Sequence, residues 1–131
     1  MPIHWTINHA SRTVVATAKG DLSLNDVDDY LDGIARSATL SYRKLFDLSQ
    51  SSPALSKEQS STLSARIIAY GNLSAMGPAA IVAISEESYE KARLFEALTL
   101  ANRPLKIFRE FEAAYRWLSA EPAETPQKPR S

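Results

Sequence analysis

Residues 42–59, YRKLFDLSQSSPALSKEQ, decide how this chain is read. Lys44 to Leu48, or Tyr42 to Leu48, forms a short strand that ends at Asp47-Leu48-Ser49. A serine-rich loop follows. Ser56, with Gln59 three residues on, then has the pattern of a helix N-cap and its capping-box partner. A strand therefore feeds a helix through a segment dense in acid and hydroxyl groups. In open α/β sheets ligands bind at such strand ends.

Working outward towards the N-terminus, Ile3 to His9 and Thr13 to Lys19 are rich in β-branched and apolar residues. Gly20 closes the second run. The short link between them predicts an antiparallel hairpin. Ser23 is an N-cap with Asp26 as acidic partner, and Leu24, Val27, Leu31 and Ile34 recur at helical spacing.

Towards the C-terminus, Leu63, Ile67 and Tyr70 make a buried helical stripe, and Gly71-Asn72 is expected to stop that helix. Pro78 introduces Ala79 to Ile84, AAIVAI, a continuous apolar run of the kind buried on both faces of a sheet. Ser85 caps a long helix with Tyr89, Ala92, Phe95 and Leu98 or Thr99 facing inward, ended by Arg103-Pro104. Leu105 to Phe108 is a last strand. Phe111, Ala114, Tyr115 and Leu118 predict a closing helix. The order is β-β-α-β-α-β-α-β-α: an α/β domain with a mixed sheet of about five strands, an antiparallel N-terminal hairpin, later strands mostly parallel, and four helices. One domain over residues 1–120 is expected. The segment from Glu121, EPAETPQKPRS, is almost devoid of apolar residues and reads as a disordered, proline-rich tail.

Composition narrows the function. The chain has 131 residues, 44% of them apolar, enough for a core without staples. It contains no cysteine, which excludes disulfides, thiolate catalysis and cysteine-ligated metal. With 15 basic and 15 acidic residues, the chain lacks the cationic surplus that phosphate backbones require, so nucleic acid is not an expected partner. No apolar run reaches the length of a membrane span, and the start MPIHWTINHA has no signal-peptide pattern. A bacterial-type cytoplasmic protein is expected.

Chemistry-bearing residues are few. His4 and His9 are the only histidines, and their spacing brings neither towards Ser49 or Ser85, so no nucleophile–base pair or metal cluster is expected. Arg93, Arg103, Lys106 and Arg109 could form an anion site, although Glu86, Glu87 and Glu90 lie nearby. A solvated face is the simpler reading. The candidate interaction surface comprises Asp47, Ser49, Ser52, Ser56, Ser85 and Glu86. A phosphate on Ser52 or Ser56 would sit at a helix N-terminus, where the dipole favours it, whereas the plainer role of Ser56 is to cap. Asp47 has an alternative role as acceptor for the N–H groups of the following loop. The aromatic residues read mainly as core. A subset could line a pocket beneath the long helix, with Tyr70 to Gly77 as its lip. A second copy of the chain is an alternative cover for that apolar exit.

The strand around Trp5, Gly20-Asp21-Leu22-Ser23, Leu45-Phe46-Asp47-Leu48, Pro78 to Val82, Tyr89 to Arg93, and Ile107-Phe108-Arg109 with Ala114 and Trp117-Leu118 follow one another in a recognisable order. In these segments the chain resembles the SpoIIAA-like family, relatives of the STAS domain of anti-sigma-factor antagonists. The resemblance implies a small mixed-sheet domain that binds rather than catalyses, acting without a cofactor as a regulatory or protein-interaction module in bacterial signalling. STAS antagonists carry a phosphorylatable serine in an Asp-Ser-Ser-Gly motif after the third strand. Here Ser49 to Ser56 lacks the aspartate and glycine of that motif. Likeness to Sec14-type domains implies the alternative, a carrier or sensor of a lipid-like apolar ligand.

Overall fold

A computed structural model describes residues 3–53, 55–73, 76–99 and 104–121. Its elements are β1 (Ile3–Asn8), β2 (Thr13–Leu22), α1 (Leu24–Arg36), β3 (Arg43–Pro53), α2 (Lys57–Leu73), β4 (Ala79–Val82), α3 (Glu86–Thr99), β5 (Leu105–Phe108) and α4 (Phe111–Ala120). The five strands lie side by side in chain order. β1 and β2 are antiparallel, and every later pair is parallel. Of the segment expected as a disordered tail, residues 121–131, Glu121 is described, its carbonyl accepting from Arg43 Nε at 2.6 Å, and residues 122–131 lie outside the described residues.

The local signals that start the helices are in place. Ser23 accepts the Asp26 N–H while Asp26 accepts the Ser23 N–H, closing a capping box. Ser56 and Gln59 do the same for α2. Ser85 Oγ accepts the Ser88 N–H at the head of α3. These bonds satisfy N–H groups that the first helical turn leaves without partners.

Period-two alternation sorts β3 onto two faces. Lys44, Phe46 and Leu48 point to the side covered by α1, α2 and α3. Leu45 joins Ala80, Val82, Ala114 and Leu118 on the side covered by α4. The larger core contains Ile3, Val14, Ala16, Leu31, Ile34, Leu63 and Ile67. β4 is buried throughout, as its unbroken apolar run requires.

Five expectations need correction. The serine-rich segment from Ser49 to Pro53 is strand, not loop, and β2 runs on past Gly20 to Leu22. Between the Thr17–Asp47 and Lys19–Gln50 pairs, β3 has one residue more than β2. This bulge restores register, so Lys19 to Leu22 pair with Gln50 to Pro53. α2 continues through Gly71-Asn72 to Leu73, because a helical glycine costs only about 1 kcal/mol and does not by itself end a helix. Ile84 is 54% exposed, since the sheet ends at Val82 and the chain is already turning into α3. In α4 the buried stripe is Ala114 and Leu118 with Trp117 against them, while Phe111 and Tyr115 face out and stack on each other with centroids 6.2 Å apart.

Candidate functional site

Because β2 to β5 are parallel, the chain segments that follow them all leave from one end of the sheet. That rim carries the heads of all four helices. Ser56 and Ser85 are exposed there, and so is Glu86, which pairs with Arg109 at 3.1 Å. Arg109 also lies over the Tyr89 ring, 4.0 Å from its centroid. Asp47 and Ser49 are half-buried on β3, Asp47 level with Val82 at the end of β4. The sheet thus brings five of the six expected surface residues to one end. The side chain of the sixth, Ser52, lies outside the described residues, although its backbone pairs with Asp21.

Most of the hydroxyls already have structural partners. Ser56 and Ser85 cap helices. Ser51 donates to the Gly20 carbonyl at 2.9 Å, tying the two projecting strands together. Asp47 accepts the Ser49 N–H across the bulge at 2.9 Å.

The histidines are elsewhere. His9 lies at the opposite end of the sheet, its Nδ1 2.8 Å from the Tyr42 hydroxyl. His4 is exposed on β1, in one cross-sheet row with Thr17 and Asp47. Two strand spacings, about 10 Å, separate its backbone from that of Asp47. Among the described residues neither imidazole bonds to Ser49 or Ser85. The basic residues near α3 are dispersed: Arg93 faces Glu96 at 3.7 Å, Arg109 holds Glu86, and Lys106 lies over Phe108. Arg103 lies outside the described residues.

Directly beneath the rim is a cavity of about 110 Å³ between the sheet and α1, α2 and α3. Leu22, Leu48 and Leu55 line it, and the next residue in the chain after each is a serine, the exposed Ser23 and Ser56 and the half-buried Ser49. Tyr30 and Phe46 form an aromatic wall, with centroids 5.3 Å apart. Met76, from the expected lip, also lines it. The inward positions expected at Phe95 and at Leu98 or Thr99 lie outside the described side chains. On the outer surface α1 and α2 are joined twice, by Arg66 to Asp28 at 2.9 Å and by the Tyr70 hydroxyl donating to Asp32 at 3.2 Å. Partial burial raises the Tyr70 pKa, and the hydrogen bond to Asp32 and that carboxylate's charge raise it further.

Among the described residues, two lysines break the apolar lining in an unexpected way. Lys44 is only 4% exposed, and its ammonium donates to the carbonyls of Leu40 and, at 2.8 Å, Tyr42. Lys91 lines the cavity from α3. Sequence reading did not single out Lys44. The signal was there in the alternation, which puts it on the same face as Phe46 and Leu48.

No family model matches the chain, and no curated protein matches it in sequence. Among solved structures, it resembles an uncharacterized protein of the DUF3478 family with a SpoIIAA-like fold from Shewanella loihica. Identity is 18%, the TM-score is 0.61, and the match covers 88% of this chain and 93% of the other. At that identity the likeness establishes the fold, which is SpoIIAA-like as the sequence segments implied.

Proposed function

We propose that this chain is a non-enzymatic binding module that acts in bacterial signalling through contacts at the rim of its sheet. The observation that supports this reading is the convergence of four helix heads on one exposed, polar edge, with Ser56, Ser85 and Glu86 accessible there. Such a surface recognises a protein partner by shape and charge. A phosphate on Ser52 or Ser56 would regulate it by adding charge at a helix N-terminus. A kinase-like or sigma-factor partner recovered with the wild-type chain, and lost with Ser52→Glu or Ser56→Glu, would support the reading. Equal recovery with all three proteins would refute the role of the serines. Phosphopeptide mapping of protein from its native cells is the complementary test.

A second reading is favoured by the cavity: the domain carries or senses a small apolar ligand beneath the rim. Pockets of this kind are lined mainly by apolar side chains, with a few polar groups that orient the guest. Native mass spectrometry of freshly purified protein tests it by looking for a co-purified mass.

A further inference from the structure

We infer that β1 is a self-pairing edge. Two copies of this chain join by antiparallel β1–β1 contact about a two-fold axis at Trp5, giving one sheet of ten strands with a rim at each end. This goes beyond the binding readings above and does not depend on them. Three observations lead to it.

The first is the contrast between the two edges of the sheet. β5 is four residues long and carries the exposed Lys106. Shortness and an edge lysine are among the means by which proteins keep an edge from recruiting another strand. β1 is six residues long, pairs with β2 over its whole length without a bulge, and contains no lysine, arginine, acid or proline. Among the described residues no strand pairs with its outer side, where a row of backbone N–H and C=O groups faces outwards.

The second is self-complementarity. Ile3, Trp5 and Ile7 lie on the side of the larger core, and the exposed His4, Thr6 and Asn8 lie on the other. A two-fold axis at Trp5, normal to the sheet, keeps each face on its own side. It sets Ile3 opposite the second copy's Ile7, Trp5 opposite its own counterpart, and His4 opposite Thr6. Directly opposite residues are the pairs that stabilise antiparallel strands. Moving the axis to Thr6 would leave Ile3 without an apolar opposite, and a slip of one residue would turn the apolar row to the wrong face.

The third is that the aromatic centre is already fixed. Trp5 meets Tyr30 edge-on with centroids 5.3 Å apart, and its indole lies against Gly33 of α1, where a Cβ would overlap it. Trp5 is only half-buried, which leaves ring surface for a second copy to cover. A side chain held in place before contact loses little freedom on association.

The pairing has a functional consequence. β1 is antiparallel to β2, so joining β1 to itself sets β2 to β5 of the two copies in opposite directions. The dimer then presents two separate rims that point away from each other.

The test is sedimentation equilibrium of the full chain over a concentration series. The wild type should approach twice the 14.4 kDa of one chain and go no further. Hydrogen exchange of the β1 amides should slow as the dimer fills. The double variant His4→Lys with Thr6→Lys sets like charges opposite each other at two symmetry-related places and should weaken the dimer roughly tenfold. Both side chains are exposed, so its circular dichroism spectrum should match the wild type. The double variant His4→Glu with Thr6→Lys sets opposite charges there and should associate at least as tightly as the wild type. A one-chain mass up to about 1 mM overturns the proposal and leaves the edge to a strand of another protein. A mass that keeps rising with concentration overturns the closed two-fold pairing. A dimer indifferent to the lysine pair, or weakened equally by both double variants, shows that His4 and Thr6 do not face each other and overturns it too. So does β1 exchange that fails to slow with concentration, whatever the variants do.

Discussion

The carboxylate of Asp47 accepts the backbone N–H of Ser49 at 2.9 Å, and this bond spans the bulge that lets β2 and β3 continue beyond the rest of the sheet. A bulge leaves one residue out of the ladder, so its N–H needs another acceptor. Asp47→Ala should therefore destabilise the fold by about 1–2 kcal/mol, and Asp47→Asn, which keeps a side-chain oxygen, by clearly less. Urea denaturation of the three proteins checks this.

Ser56 and Gln59 close the head of α2 reciprocally. Ser56→Ala should cost about 1 kcal/mol, whereas Ser56→Asp, an equally good cap, should fold with near wild-type stability. If both variants melt together below the wild type, the cap has been assigned the wrong role.

Gly77 sits where the chain enters β4, and a Cβ there would overlap the backbone carbonyls of Ser41 and Tyr42. Neither carbonyl can swing aside as a side chain would. Gly77→Ala should lower stability by about 1–3 kcal/mol, the cost of overpacking. One of them, the Tyr42 carbonyl, also accepts from the Lys44 ammonium at 2.8 Å, so the seat of that lysine is disturbed in the same variant. Thermal melts of the wild type and the variant measure the loss.

Ser64 is 3% exposed on α2, and among the described residues its hydroxyl has no hydrogen-bond partner. Removing an unsatisfied buried polar atom relieves its desolvation penalty, and alanine is also the better helix former. Ser64→Ala should stabilise the protein by about 1 kcal/mol. A midpoint that falls in chemical denaturation would show that the hydroxyl has a partner.

Tyr70 has its pKa raised, first by burial and then by the hydrogen bond to Asp32. A phenol whose folded pKa exceeds its unfolded value of about 10 favours folding while it is protonated. Its contribution is therefore complete below about pH 10 and disappears as pH rises through the raised folded value. In denaturation series from neutral to alkaline pH, Tyr70→Phe should be less stable than the wild type at neutral pH and should lose less stability above about pH 10, so that the difference narrows there.

Much of this architecture was legible in the chain. Caps at Ser23, Ser56 and Ser85 are written within four residues, and the alternation through Leu45-Phe46-Asp47-Leu48 is written within one strand. Because these signals are short-range, the element order, the hairpin and the parallel remainder could all be read from them. The rim followed, since Ser56, Ser85 and Glu86 lie at the heads of helices. Phe111 and Tyr115 misled because helical spacing says which residues share a face and not how wide a face the neighbouring sheet will cover. Leu45, Ala80 and Val82 offer α4 a narrow patch, and two aromatic rings are left outside it.

The sequence by itself determined the succession of strands and helices, because each capping bond and each apolar period forms between near neighbours. Tertiary structure alone decided how far β2 and β3 extend, since the bond from Ser51 to the Gly20 carbonyl joins residues 31 apart. It alone decided that Lys44 would be enclosed. A lysine's burial is set by the helices packed over its strand and by the carbonyls that meet its ammonium, and nothing in a linear chain records that three helices will close over one cavity.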